Sequence, residues 1–526
     1  MKRLFALLIS LLLLSGCAAP VAEPATNPPQ EKAEVPYESR FPSETLIELS
    51  DAGIKTKALG VFATNDIIYY EDRDFYESGN PYGEGGDADK HTAEEAAAHT
   101  VVNITKPGSY RITGKLSAGQ IRVDLGEAAY EDESAVVELI LDNVDLTCTV
   151  APAILFLNVY ECDGDWDKDT AKAEVDTSKA GANLILEGEN TVSGSYVARI
   201  YKDKEGEKKL WKQDGAIYSY MSMNIGGSGA LELNAENEGI DTELHLTVNS
   251  GDIVIRSGND GINTNEDDVS VTTVNGGNLH IMAGLGAEGD GIDSNGYLVI
   301  NGGTVISAAH PASDAGLDST CGSFINGGTV LALGASMDWA ESDSGQVTMN
   351  LQFAHDRKPT DAIRITGDDG TEVFVYDPAA DDAVGEDARR YSGAIISCPA
   401  FKQGDTYFVY AGGEQMMYTG TDVMRHPGGK PDGVPPEGFG GQVPADADRK
   451  PPEGFDGPPP KGERPGQPGD RPEGPPPEGE TPGQPGDRPE GPPPDGFGGG
   501  KDPAEGRTAF FMQDKVNFFS GLTAAE

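Results

Sequence analysis

The sequence predicts an all-β protein: a parallel β-helix, or solenoid, followed by a small C-terminal β module and a disordered Pro/Gly-rich spacer. Three observations carry this. Two short patterns alternate every 24 to 26 residues or so between about 214 and 333. The first is acid-Gly-Ile-(Asp/Asn)-(Thr/Ser), at Glu238 to Thr242, Asp260 to Thr264 and Asp290 to Ser294, with degenerate copies at Asp214-Gly215-Ala216-Ile217 and Asp314-Ala315-Gly316-Leu317-Asp318. The second is Asn-Gly-Gly or its Asn249-Ser250-Gly251 variant, repeated from Asn275, Asn301 and Asn326. A fixed period of this size means stacked units sharing one core. Between these markers, Ile253-Val254-Ile255, Leu279-His280-Ile281, Thr304-Val305-Ile306 and Thr329-Val330-Leu331 are short β-branched runs. They read as strands bounded by turns, and no repeat has room for a helix.

Taken in order, residues 1–17 read as a lipoprotein signal peptide. Met1-Lys2-Arg3 precedes an apolar run that ends in Leu14-Ser15-Gly16-Cys17, which resembles a bacterial lipobox. That motif implies cleavage before Cys17 and lipid on its thiol, hence a protein anchored at the extracellular face of the bacterial membrane by its N-terminal lipid only. Residues 18–42 read as a tether, 43–97 as a loop-rich cap, 98–340 as the β-helix and 341–424 as a small β module. Residues 425–505 are saturated with Pro, Gly, Glu and Asp and cannot bury a core. Residues 506–526 carry Phe510-Phe511-Met512 and Val516-Asn517-Phe518-Phe519, too apolar to remain in water, so this tail is expected to dock on a folded part, for example as an added strand, with aggregation or partner binding as the other reading.

Composition narrows the partners. With Lys+Arg 39 against Asp+Glu 87, the formal net charge is −48, which excludes nucleic acid. Beyond Cys17, the cysteines Cys148, Cys162, Cys321 and Cys398 are too few for a disulfide scaffold. Cys321 reads as a core filler, and pairing of Cys148 with Cys162 stays open.

In a stack of parallel strands about 4.8 Å apart, equivalent residues form columns. Glu238, Asp260, Asp290 and Asp314 would make one column, and Asp241, Asn263, Asp293 and Asp318 a second. At an effective dielectric near 20, each adjacent ionised pair costs on the order of 3 kcal/mol. The acids must protonate, splay into solvent or hold a divalent cation, and an all-oxygen donor set on loops suits calcium. The same Asp and Asn also serve turn chemistry by accepting backbone N–H bonds.

Further stretches add to the repeats: His99-Thr100-Val101-Val102, Gly108-Ser109-Tyr110-Arg111-Ile112-Thr113-Gly114, Leu139-Ile140-Leu141-Asp142-Asn143-Val144 and Gly215-Ala216-Ile217-Tyr218-Ser219. With the Asp-Gly-Ile and Asn-Gly-Gly repeats, residues from about 98 to 335 resemble the bacterial carbohydrate-binding proteins built on a calcium-binding right-handed parallel β-helix, a pectate-lyase-like fold whose studied member binds polygalacturonate and cellulose. The resemblance implies right-handedness, calcium as cofactor, a polysaccharide partner of the pectin or cellulose type, and binding without catalysis. Calcium shared between acidic columns and uronates would reverse the local sign of charge. Uncharged glucans would need aromatic platforms, for which Trp211, Tyr218, Tyr220, Tyr297 and Trp339 are the candidates. Two rivals remain, a calcium-dependent polysaccharide lyase and a passive adhesion stalk. A lyase needs a Lys or Arg base, yet from Gln213 to Asp356 only Arg256 is available, with the Lys202 to Lys212 insert as another source. His245, His280 and His310 fall at different offsets from the Asn-Gly-Gly markers and form no metal column.

Overall fold

The computed structural model describes residues 39–70, 89–164, 166–198, 212–335, 338–421 and 506–525. The signal and spacer expectations, Cys17 and Trp211 lie outside the described residues. What is described is nearly all-β, with one short α-helix, Ala93–Ala97, closed at its start by a reciprocal capping box between Thr92 and Glu95. No described helix is long and apolar enough to cross a membrane. Among the described residues the strands gather into two long sheets, of 24 and 9 strands, that do not close on themselves.

Each repeat supplies three strands. Glu238–Thr242, Leu246–Val248 and Asp252–Ser257 are followed by Ile262–Thr264, Val271–Val274 and Asn278–Met282. Each pairs in parallel with its equivalent in the next repeat. Alternation sets the register, since a slip of one residue would turn the apolar side outward. Thus Ile253 pairs with Leu279, Leu279 with Val305 and Val305 with Val330, all 0–1% exposed. Across the core, Ile240, Ile262, Ile292 and Leu317 form a facing column in the nine-stranded sheet, each fully buried and each worth about 1.5–3 kcal/mol of transfer energy.

Glycine has a different task in each pattern. The last Gly of the Asn-Gly-Gly turns takes a positive φ, +85° at Gly277 and +79° at Gly303, a region that favours glycine. In the Asp-Gly-Ile turns, a Cβ on Gly261 would press into the carbonyl oxygen of Gly291 and the side chain of Ile281. Gly261→Ala should therefore lower stability by about 1–3 kcal/mol, read as a drop in thermal midpoint. Gly226→Ala, whose Cβ would meet only Ser250 Oγ at 3.7 Å, is the near-neutral control.

The segment read as a loop-rich cap contains strands. Glu44–Leu49 lies parallel to Gly108–Leu116 and extends the larger sheet, while Val61–Thr64 runs antiparallel to Thr100–Ile104. At the other end, Thr329–Gly334 pairs antiparallel with Tyr391–Ser397, so the sheet runs on into antiparallel strands. Val516–Ala524 lies parallel to Thr348–Arg357 and antiparallel to Glu414–Met417. Cys148, Cys162, Cys321 and Cys398 are all free thiols. Cys321 does not fill the core as the sequence suggested: it is half-buried, with Sγ 3.6 Å from Asp268 Oδ1.

Candidate metal centre

The nine-stranded sheet carries the acidic column. Asp241 pairs with Asn263, Asn263 with Asp293 and Asp293 with Asp318, so the second predicted column forms in register. The first is set by the turns just before these strands. Gly239 N donates to Asp260 O and Gly261 N to Asp290 O, which aligns Glu238, Asp260 and Asp290. Gly291 N donates to Ala315 O instead, so Ala315 takes the next place and Asp314 falls one residue outside. Its carboxylate accepts from Gly289 N at 3.1 Å and lies 3.5 Å from His310 Nδ1. The degenerate copy lacks an acid directly before its Gly, which is the physical reason for the slip.

Burial separates the two ends of the column. Asp241, Glu238, Asn263 and Asp260 are 0–8% exposed, whereas Asp290, Asp293 and Asp318 are half-buried. Backbone N–H groups satisfy part of the charge: Asp260 Oδ1 accepts from Asp290 N at 2.7 Å and Asp290 Oδ1 from Ala315 N at 2.5 Å. Asp241 Oδ1 accepts from Asn265 Nδ2 at 2.7 Å. Within the column, Glu238 Oε2, Asp241 Oδ2 and Asn263 Oδ1 are buried without a hydrogen-bond partner among the described residues. Unsatisfied buried acceptors each cost about 1–3 kcal/mol or more.

The electrostatics agree. Burial, then the Asp214 charge, pushes Glu238 up to about 7. Burial raises Asp290 to about 7 as well. Asp241 is pushed well above the carboxylate range by burial and Glu238, Asp260 by burial, Glu238 and Asp293, and Asp293 by burial, Asp318 and Asp290.

Two members of the centre escaped sequence reading. The carboxylates of Asp214, Glu238 and Asp241 converge, with ligand atoms within 4.8 Å of one another. Asp214 belongs to the degenerate Asp214-Gly215-Ala216-Ile217 copy, and its position before Gly215 was the available signal. Lys212 forms an ion pair with Asp214, and the charges of Asp214, Glu238 and Asp241 hold its ammonium protonated far above the usual range. Oxygen-only donors with orphaned buried acceptors are the chemistry of a hard cation site, so the residues present fit calcium. Lys212 supplies a fixed positive charge at one end.

The candidate aromatic platforms do not gather. Tyr218, in register with Asp241, is fully buried and donates to Glu243 Oε1. Tyr220 is 5% exposed and packs edge-on against Tyr218 at 5.1 Å. Half-buried Trp339 packs edge-on against Phe518. Tyr297 stays half-buried beside Phe324, 6.5 Å away. Arg256, the residue considered as a base, is tied to Glu232, Asp387 and the carbonyl of Ala383.

Long parallel sheets with an oxygen-lined acidic column along one of them define a repetitive β protein. A model of the carbohydrate-binding domain-containing protein family matches residues 98–367, just over half of the chain, and the chain belongs to that family. A carbohydrate-binding domain-containing protein of Acetivibrio thermocellus is 29% identical over 176 residues, 32% of this chain and 51% of that relative. The chain thus matches about half the length of that relative. A solved structure, the polysaccharide lyase-like protein from C. thermocellum as its gadolinium derivative, covers 54% of this chain and 93% of its own, at 20% identity and a TM-score of 0.32.

Proposed function

We propose that the chain is a non-catalytic polysaccharide-binding protein that takes acidic, pectin-type glycan through calcium held along the acidic column of a right-handed parallel β-helix. The observation that carries this is the buried run Glu238, Asp241 and Asn263, whose orphaned oxygens lie in a protein of net charge −48. Asp214, Glu238 and Asp241, whose ligand atoms lie within 4.8 Å of one another, would hold an ion at the buried end with Asn263 and Asp260 next along the column, and Asp290, Asp293 and Asp318 continue the acidic column to its half-buried end. The bound ion supplies positive charge that a uronate carboxylate shares. The half-buried end is where a polymer reaches that charge. Family membership supports carbohydrate as the ligand class, and we place the protein at the cell surface through lipid on Cys17.

Binding is favoured over lyase chemistry by the state of the cations. A lyase base must lose its proton near working pH. Lys212 is held protonated by three carboxylates, and Arg256 is engaged in ion pairs. The test is retention of the full chain on immobilised polygalacturonate, with calcium and with chelator, while unsaturated-product absorbance is followed. Calcium-dependent retention without new absorbance is expected, and Asp293→Asn with Asp318→Asn should weaken it about tenfold or more. Growing absorbance would make the protein a lyase, and no retention would leave a passive stalk.

A further inference from the structure

The antiparallel end of the molecule carries strands whose two faces differ. Glu372–Tyr376 pairs with Ile363–Gly367, and Ile363–Gly367 with Thr406–Ala411. Glu414–Met417 and Phe510–Phe511 share the far edge of Thr406–Ala411. Alternation along each strand sends Ile363, Ile365, Phe374, Tyr407, Val409 and Phe510 into the core, each 0–4% exposed, and turns the residues between them outward.

Residues directly opposite in an antiparallel pair share a face. Val375 and Tyr410 both lie opposite Arg364, Phe408 lies opposite Thr366, and Phe511 opposite Thr406. The outer face is therefore aromatic. Phe511 is 50% and Val375 37% exposed, Arg364 is exposed, and Phe408 and Tyr410 are half-buried. Arg364 stacks on Tyr410, with Cζ 4.2 Å from the ring centroid, and finds no carboxylate partner among the described residues. Apolar side chains grouped around such a cation mark an interaction surface.

The chain itself supplies a segment that matches. Tyr418 N donates to Arg507 O and Arg507 N to Tyr418 O, both at 2.9 Å, so residues 422–505 leave and return at one point. The strands at the two ends of this loop, Glu414–Met417 and Phe510–Phe511, are those that border the aromatic face. Within the loop a motif Pro-Pro-(Glu/Asp)-Gly-Phe recurs at Pro435 to Phe439, Pro451 to Phe455 and Pro493 to Phe497. Each part of it answers a part of the face. Consecutive prolines are set in an extended helix and pack on aromatic rings at low entropic cost. The acid pairs with a guanidinium, and the Phe adds a ring contact. Pro493 to Phe497 stands just before the return at Gly506, and ten extended residues reach about 33 Å, several strand spacings. A tether this short gives an effective concentration on the order of millimolar, so a weak contact suffices. The region matched by the carbohydrate-binding family ends at residue 367, before Val375, Phe408, Tyr410 and Phe511, so the carbohydrate reading does not extend to this face.

We propose that the aromatic face is a docking surface for proline-rich peptide, and that its resident occupant is the Pro493 to Phe497 copy of the same chain, with Asp495 on Arg364 and the prolines on Tyr410 and Phe408. Docking folds the loop back on its own base and covers rings that otherwise face water. The inference stands apart from the glycan and calcium readings.

The test is photo-cross-linking of the full chain with benzoylphenylalanine placed at position 497, the linked peptides being mapped by mass spectrometry. Links within one chain to Ile363–Gly367 and Thr406–Ala411 are expected. Tyr410→Ala should cut their yield about tenfold, and Tyr410→Phe should keep it. Asp495→Arg should cut it as well, and combining Asp495→Arg with Arg364→Asp should restore it, a rescue that a misfolded chain cannot give. Links scattered over the molecule, or links to the face that ignore Tyr410 and Arg364, overturn the inference. Links formed only between chains, with a yield that rises with protein concentration, also overturn it and make a second copy the occupant. So does loss of glycan retention in folded Tyr410→Ala, which would make this face a carbohydrate site.

Discussion

In the presence of a chelator, raising the pH from about 5 to about 8 lowers the thermal midpoint, and calcium added at the higher pH restores it. The direction follows from linkage. Glu238 and Asp290 are pushed up to about 7 in the folded chain, and burial with neighbouring carboxylates raises Asp241, Asp260 and Asp293 well above the carboxylate range, against roughly 4 in the unfolded chain. Between those values the folded state binds more protons than the unfolded state, so stability falls as pH rises. For Glu238, 3% exposed, the loss is about 3 kcal/mol once both forms are ionised. The other acids add to it, though not additively, because they share one column.

The calcium half of the result tests the proposed centre. An ion at 100 times its dissociation constant stabilises the fold by about 2.7 kcal/mol, enough to offset much of that loss. Replacing a charge tests the same physics with a sharper sign. Asp293→Asn removes repulsion with Asp318 and Asp290 and should melt higher than the parent in chelator near pH 8, yet gain less from calcium. A midpoint that is flat or rising between pH 5 and 8 in chelator would mean that the buried acids are satisfied by other means. The calcium reading would then lose its physical basis.

How much of this was legible in the sequence varied with distance along the chain. The Asp241, Asn263, Asp293 and Asp318 column could be read because the Gly-Ile dipeptide keeps a constant offset from copy to copy, and a parallel register then stacks what the offset aligns. The all-β class and the long parallel sheets followed from the same repeats. Asp314 misled because its copy has Ala315 where the acid belongs, so matching the acid rather than the Gly places it one residue off. Tyr218 occupies the column position of Asp241 one strand earlier. Only the fold reveals that the ring is covered there, 0% exposed, and cannot be offered to sugar. Lys212 sits in a charged insert, where nothing local shows that three carboxylates will surround it. Glu44–Leu49 has a local partner of only two residues, Lys55–Thr56, and its main partner, Gly108–Leu116, lies over 60 residues away, so little local signal marked it as a strand. The Asn-Gly-Gly repeats announced turns, and only stacking links their asparagines into a ladder in which Asn275, Asn301 and Asn326 each donate to the asparagine one repeat earlier.

Phe510→Ala should lower stability by about 3–5 kcal/mol, a loss centred on the antiparallel end of the molecule. Phe510 is fully buried, although one of its partners, Tyr418, lies far from it in sequence. Its ring centroid is 4.8 Å from Tyr418 and 4.9 Å from Phe519, and those two rings are 4.9 Å apart. Three mutually packed aromatics contribute beyond their buried area, about 0.5–1.5 kcal/mol per pair, and truncating one leaves a cavity that the other two cannot fill. Phe519→Ala should behave alike, and the double variant should cost less than the two singles together, because both empty the same cavity. Phe519 belongs to Val516–Ala524, which hydrogen-bonds to Thr348–Arg357 and Glu414–Met417, so loosening the rings loosens a strand that ties two others. Hydrogen exchange should therefore quicken in Thr348–Arg357 and Glu414–Met417 while the distant pair Glu44–Leu49 and Gly108–Leu116 keeps its protection. Uniform loss along both sheets would instead mean that the molecule unfolds as one cooperative unit, with the C-terminal strand holding the acidic column as firmly as it holds its own neighbours.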